Sequence, residues 1–239
     1  MNTKSIALLI LSPLVPGLFV PGLALAYAPV KVESPGTIRG TIHYLKAVPE
    51  PRLLEINKDK AYCEKRAPTD ESVLVSPAKG LKNVVVFIQK IEKGNAVTPT
   101  EATLDNDGCS YKPHVQALAV GSVLGVRNSD PILHNTHARA KSVDVFNYGL
   151  PNQGEVVKKT ISQKGMIELS CDAGHKWMKG YIAVFDHPYF AVTDVDGGFV
   201  LQGVPSGSYT LAYWHEKLGQ RTKKLELGAG ETIDGSLDF

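Results

Sequence analysis

Cys171-Asp172-Ala173-Gly174-His175-Lys176-Trp177-Met178 sits between two strand-like runs and brings a thiol, an imidazole and a thioether into eight residues. The run before it, Met166-Ile167-Glu168-Leu169-Ser170-Cys171, alternates with period 2. Ile167, Leu169 and Cys171 share one face, and Met166, Glu168 and Ser170 the other. If the apolar face is the core side, the Cys171 sulfur ends its strand pointing inward, and His175 and Met178 curl back over it. Gly180 to Phe185 reads as the returning strand. A soft thiolate, an imidazole and a weak thioether are the donor types of a mononuclear copper electron-transfer site, which needs one further histidine.

That histidine is expected in Asn128-Ser-Asp-Pro-Ile-Leu-His134-Asn135. Upstream, Tyr111 to Asn128 reads as two strands around a turn at Gly121, followed by a polar loop ending in His134. These features together resemble the cupredoxin (plastocyanin-like) family: an aromatic-x-Pro strand, a Val-Gly-x-x-Val turn, an Asn-x-Asp loop with His-Asn, and a late Cys, His, Met loop. The resemblance implies one copper ion, cycling between Cu(I) and Cu(II), held by His134, Cys171 and His175 with Met178 axial. It also implies that Asn135 ties the two ligand loops together and that His175 lies near the surface as the electron exit. The Cys-x3-His-x2-Met spacing is shorter than in plastocyanins and closer to half of the binuclear loop of oxidases. The other cysteine of that loop would fall at Ile167, so one ion is expected. Cys, His and Met in proximity are more often core filler, but four donors in family order outweigh that reading.

Three cysteines in an exported chain suggest one disulfide and one functional thiol. With Cys171 assigned to copper, Cys63 and Cys109 remain, 46 positions apart. Their bridge would stabilise by about 4 kcal/mol on the chain-entropy model; two buried free thiols are the alternative. Export is inferred from residues 1–26, with Lys4, an apolar run and Ala24-Leu-Ala26 as a cleavage signal. Pro13, Pro16 and Pro21 interrupt that run, so no stable membrane span is expected after cleavage. The location is then periplasmic or secreted.

Beyond Pro188 the pattern changes to short strands with Asp-Gly and Pro/Gly turns. Thr193-Asp-x-x-Gly197-x-Phe199 and Val204-Pro-x-Gly-x-Tyr209 resemble the carboxypeptidase regulatory-like (transthyretin-like) module. Its missing opening strands match Gly36–Tyr44 and Leu81–Ile88, the first with the motif Gly36-x-x-x-Gly40. The expected fold is all-β: a cupredoxin Greek-key β-sandwich at 101–187, inserted into a regulatory-like β-sandwich made of 36–93 with 188–239. Two tandem sandwiches, with 36–93 serving as extra cupredoxin strands, are the alternative. A short helix is expected at Leu53 to Arg66, a boundary at 92–100, and an irregular stretch over Lys141 to Pro151 anchored by Val143, Val145 and Phe146. His114 is expected to pack beside the site or support a ligand without binding metal, and Trp177 to lie over the site.

The formal net charge is +2, too small to imply nucleic-acid binding. Phosphate loops, H-E-x-x-H and G-x-S-x-G are absent from the sequence, so no enzyme is expected. One-electron transfer with a redox protein, for example a c-type cytochrome or a respiratory complex, leads. A copper carrier or sensor, and a structural module with a vestigial site, are the competing classes.

Overall fold

The computed structural model describes residues 27–239, and the expected export signal lies outside them. Among the described residues no helix is long and apolar enough to cross a membrane. Apart from one short helix the described residues are all-β, and their strands form two pairs of sheets and a two-stranded ribbon of Ala28–Pro29 with Lys93–Gly94.

In the first pair, a five-stranded sheet runs in the order Val143–Leu150, His134–Ala140, Gly165–Ser170, Lys179–Phe185, Val115–Ala119. Facing it is a four-stranded sheet ordered Val156–Thr160, Val123–Asn128, Glu101–Asn106, Tyr111–Lys112. Leu104, Leu124, Val126, Leu150, Ile161, Ile167 and Ile182 fill the space between them, all fully buried. Alternation along Gly165–Ser170 sends Ile167 and Leu169 into this core and leaves Glu168 in solvent, so Cys171 follows them inward.

The second pair takes strands from both ends of the chain. Phe190–Val192, Val85–Ile88, Gly207–His215 and Gly219–Leu227 form one sheet. Gly198–Val204, Gly36–His43 and Thr232–Asp234 form the other, with Leu237–Asp238 also paired along Gly36–His43. Ile38, Ile42, Leu81, Ile88, Leu211 and Tyr213 make its core. The first glycines are steric necessities. A Cβ on Gly40 would lie 2.5 Å from the backbone nitrogen of Ser236, and one on Gly36 2.8 Å from the Glu231 carbonyl, because the residues flanking the parallel strand Thr232–Asp234 run close against them. In the Thr-Asp-x-x-Gly turn, the Asp194 carboxylate accepts the N–H groups of Asp196 and Gly198 at 2.9 and 2.8 Å. Thr193 is buried, donating to the Leu81 carbonyl and accepting from the Val84 N–H. Between the sandwiches lies an aromatic seam in which Phe87, Phe185 and Phe190 stack in sequence at 4.9 and 4.8 Å, and Tyr181 meets Trp214 edge-on at 5.2 Å.

Several local expectations are corrected. Residues 141–151 are not an irregular crossing: Val143–Leu150 is a regular strand paired with His134–Ala140. A register shift between Asp144 and Phe146 sets Phe146 opposite Ala138, both facing inward, while Val143, the first residue of the strand, is 58% exposed. The helix is confined to Lys60–Arg66, since Leu53 bridges to Thr69 and Asp59 adopts a left-handed backbone. Within 92–100, Lys93–Gly94 pairs in parallel with Ala28–Pro29.

His215 carries a pH prediction. It is 1% exposed, and its Nδ1 accepts the Lys217 N–H at 3.2 Å, so the neutral ring is the form that fits. Burial pushes its pKa down to about 4. The folded value lies below the unfolded value of about 6.5, so the contribution is complete above about pH 6.5 and is lost as pH falls to about 4. Chemical denaturation should show stability declining through that window. His215→Asn retains an acceptor for Lys217, and should flatten the decline by up to about 1.4 kcal/mol per pH unit. An unchanged slope would exclude His215 as its source.

Candidate metal centre

The centre forms where the start of strand His134–Ala140 meets the end of strand Gly165–Ser170 in the first sandwich. Cys171 continues the inward face of Gly165–Ser170 and is 6% exposed. Beyond it the chain reverses at Gly174, whose φ of +100° is a conformation that favours glycine. The Lys176 N–H then bonds to the Gly174 carbonyl, and the Met178 N–H to the His175 carbonyl, both at 3.0 Å. This tight loop returns the His175 ring to Cys171, with Sγ to Nδ1 at 3.5 Å. From the neighbouring strand comes His134, after a loop pinned by Asn128, whose amide donates to the carbonyls of Ile132 and Leu150 at 2.9 Å.

The two imidazole Nδ1 atoms lie 3.1 Å apart, and each ring is fully buried. Their Nε2 atoms point the other way, to Asp130 Oδ2 at 2.9 Å for His134 and to Asp59 Oδ2 at 2.8 Å for His175. A carboxylate accepts, so each Nε2 carries the proton and each Nδ1 turns a lone pair toward the sulfur. Two lone pairs at that distance repel unless a positive charge lies between them. Donor atoms of His134, Cys171 and His175 lie within 4.8 Å of one another, as a metal ion requires. A second such group among the described residues, Cys109 with Asp130 and His134, has its sulfur already committed to a disulfide.

Electrostatics favour the same occupant. Burial alone would raise the Cys171 thiol, but contacts from His134 and His175 and backbone N–H groups of Asn135 and Ala173 prevail and bring it down to about 6. Cys171 is then mainly thiolate at neutral pH. Burial opposes a charge on His134, yet Asp130 and the Cys171 sulfur raise its pKa, so the ring attracts positive charge. Asp130 itself is held at about 2: burial would raise it, and the His134 ring, the N–H groups of Cys109 and Gly108 and the Tyr62 hydroxyl outweigh that.

Asn135 lies at the junction. Its N–H donates to Cys171 Sγ at 3.4 Å and its Oδ1 accepts the Asp172 N–H at 3.1 Å, so one residue spans both loops. Met178 closes the second loop, 1% exposed, in the same apolar cluster as Cys171. His114 is not brought into the donor cluster. It pairs with Glu216 of the second sandwich and faces Glu71 at 4.0 Å, because its strand edge abuts that sandwich. His137 emerges on the opposite side of its strand, between Asp172 and Asp144.

The expectation of a surface-exposed His175 does not hold. Segment 53–67 folds across the loop, and Asp59 takes the outer edge of the ring. Trp177 lies under this cap, 5.1 Å from the His175 ring, with its indole N–H donating to the Cys109 carbonyl at 2.9 Å. Ile56, Cys63 and Cys109 are buried around it, joined by Leu54, Tyr62 and Ile132. Cys63 and Cys109 form the disulfide, leaving Cys171 as the free cysteine among the described residues. Tyr62 adds a second anchor, donating to Asp130 Oδ1 at 2.8 Å. The sequence reading missed both carboxylates. Asp130 had a signal, four residues before His134 in the Asn-x-Asp loop; Asp59, in a plain charged stretch, had none.

No protein-family model matches this chain, and no curated protein matches it. Solved structures similar to part of it include a Cu-containing nitrite reductase from Thermus scotoductus SA-01, at 22% identity and TM-score 0.33 over 42% of this chain and 25% of that one. This chain thus spans a quarter of the reductase's length. A purple cupredoxin from Nitrosopumilus maritimus matches at 20% identity and TM-score 0.30, over 35% of this chain and 99% of its own. A Cu(I) amicyanin mutant matches at 18% identity and TM-score 0.31, over 36% and 82%.

Proposed function

We propose that the chain serves one-electron transfer outside the reducing cytosol through one copper ion, which His134, Cys171 and His175 would hold with Met178 as a weak fourth donor. The observation that carries this reading is the convergence of two imidazole Nδ1 atoms and a low-pKa sulfur within 4.8 Å. When bound, copper supplies a one-electron couple between Cu(I) and Cu(II). The chain's residues do the rest. Asp130 and Asp59 orient the rings, Asn135 fixes the distance between the loops, and Leu169, Met178 and Trp177 keep water from the sulfur. Such enclosure leaves no open position for a substrate, which argues against an enzyme. It also argues against a copper carrier, which needs a donor accessible to its recipient, whereas His134, Cys171, His175 and Met178 are each no more than 6% exposed. The Cys63–Cys109 disulfide fits an oxidising compartment. A redox protein partner would meet the cap and Lys176 in place of a bare His175 edge.

Titrating the metal-free protein with copper should end at one equivalent, and the bound ion should then be reduced and reoxidised reversibly by a small inorganic mediator. Copper that binds but never exchanges electrons would overturn the electron-transfer reading. Failure to bind at all would overturn the copper reading.

A further inference from the structure

We propose that Asp59 is the positioning residue of His175 and the closing element of the centre. The electronic half of this proposal rests on the copper reading above; the steric half does not.

Asp59 occupies the position just before the helix Lys60–Arg66, where an aspartate ordinarily turns its carboxylate onto the first free N–H groups of the helix. Here the side chain makes no such bond. The backbone is instead left-handed, with φ 47° and ψ 39°, a conformation that few residues besides glycine, asparagine and aspartate adopt. Helix capping is forgone, and the carboxylate is delivered to His175 Nε2 at 2.8 Å, 116 residues away in the chain. The surrounding contacts hold this geometry in place. Cys63, four positions on, is bonded to Cys109, and Tyr62 is hydrogen-bonded to Asp130. Their backbone N–H groups both bond to the Asp59 carbonyl at 3.0 Å. The cap is thus tied to the sandwich by two neighbouring anchors, Cys109 and Asp130, whose own N–H to carboxylate bond is 2.8 Å.

Two consequences follow from this placement. A carboxylate on Nε2 makes the imidazole a stronger donor and adds negative charge near the metal, so it stabilises Cu(II) more than Cu(I). Sitting across the outer edge of His175, the same group closes the path from solvent to Cys171.

Two variants separate these roles, and both residues introduced tolerate a left-handed backbone. Asp59→Asn keeps an acceptor for Nε2–H and loses the charge. In the copper-loaded protein it should weaken Cu(II) binding about 10- to 100-fold and Cu(I) binding less. Each tenfold difference between the two states appears as a rise of about 59 mV in reduction potential. Asp59→Gly removes the side chain altogether. In the metal-free protein it should speed alkylation of Cys171 by iodoacetamide about tenfold or more, the scale of one lost charge-assisted hydrogen bond.

An alkylation rate unchanged in Asp59→Gly, with the disulfide intact and the far-ultraviolet circular dichroism unaltered, would overturn the closing role. A potential unchanged in Asp59→Asn would overturn the electronic one. Faster alkylation in a protein that takes up no copper would refute the copper reading and leave Asp59 as the closing residue.

Discussion

Replacing Cys171 with serine is expected to abolish the intense visible absorption of the Cu(II)-loaded protein. That band arises from charge transfer out of a thiolate, and an oxygen donor has no orbital of comparable energy and covalency with copper. The substitution is nearly isosteric and retains a polar atom facing the Asn135 N–H, which lies 3.4 Å from the sulfur. Ile167 and Leu169 still fix the strand, so the fold should persist and the loss should be local. Affinity should fall as well, because the site exchanges an anionic donor with a pKa of about 6 for a hydroxyl that stays protonated. The check is a visible spectrum and a copper count on both proteins, with circular dichroism as the folding control. A serine variant retaining the same band would remove Cys171 from the ligand set.

Loss of the Cys63–Cys109 bridge should have the largest effect on stability. It closes a separation of 46 residues, which on the chain-entropy model is about 4 kcal/mol. For a chain of this size that lowers the thermal midpoint by roughly 8 to 16 °C. Paired serine substitutions avoid leaving a reactive thiol. They should also free the cap, since Tyr62 and Asp59 would then hold it through hydrogen bonds alone, and Cys171 should be alkylated faster. Thiol counting on the unreduced, unfolded wild-type chain should find one free thiol. Three thiols, or an unchanged midpoint in the double serine variant, would show that the bridge does not form or does not matter.

Local alternation was enough to point Cys171 inward, since side-chain direction in a strand depends only on sequence parity. The Asp194 turn was legible for a similar reason: it is a short-range demand on backbone hydrogen bonding that few residue types meet. Gly40 was singled out through the module's motif, since the backbone that crowds it, at Ser236, lies near the C-terminus. Val143 was misread because it is the first residue of the outermost strand of its sheet and stays 58% exposed there, and position within a sheet is a property of the assembled strands. Gly36–His43 and Val85–Ile88 show their apolar faces locally, whereas the expectation that they join strands of 188–239 rested on the resemblance of the C-terminal motifs; the register with those strands is set only in the fold.

The sequence by itself determined that this is an all-β chain, with a cysteine, two histidines and a methionine placed at strand ends and loops. Only the tertiary structure decided what surrounds them. Asp59 lies 116 residues from the ring it holds, and nothing in Asn57-Lys58-Asp59-Lys60 distinguishes it from a solvated charged stretch. His175 was expected at the surface because the resemblance to cupredoxins implies an exposed ligand-loop histidine, and nothing local beside Gly174 and Lys176 contradicts it. It is buried because the disulfide and the Tyr62–Asp130 hydrogen bond fold a distant segment over it. Burial and charge pairing depend on which segments meet in space, and strand periodicity contains no information about that.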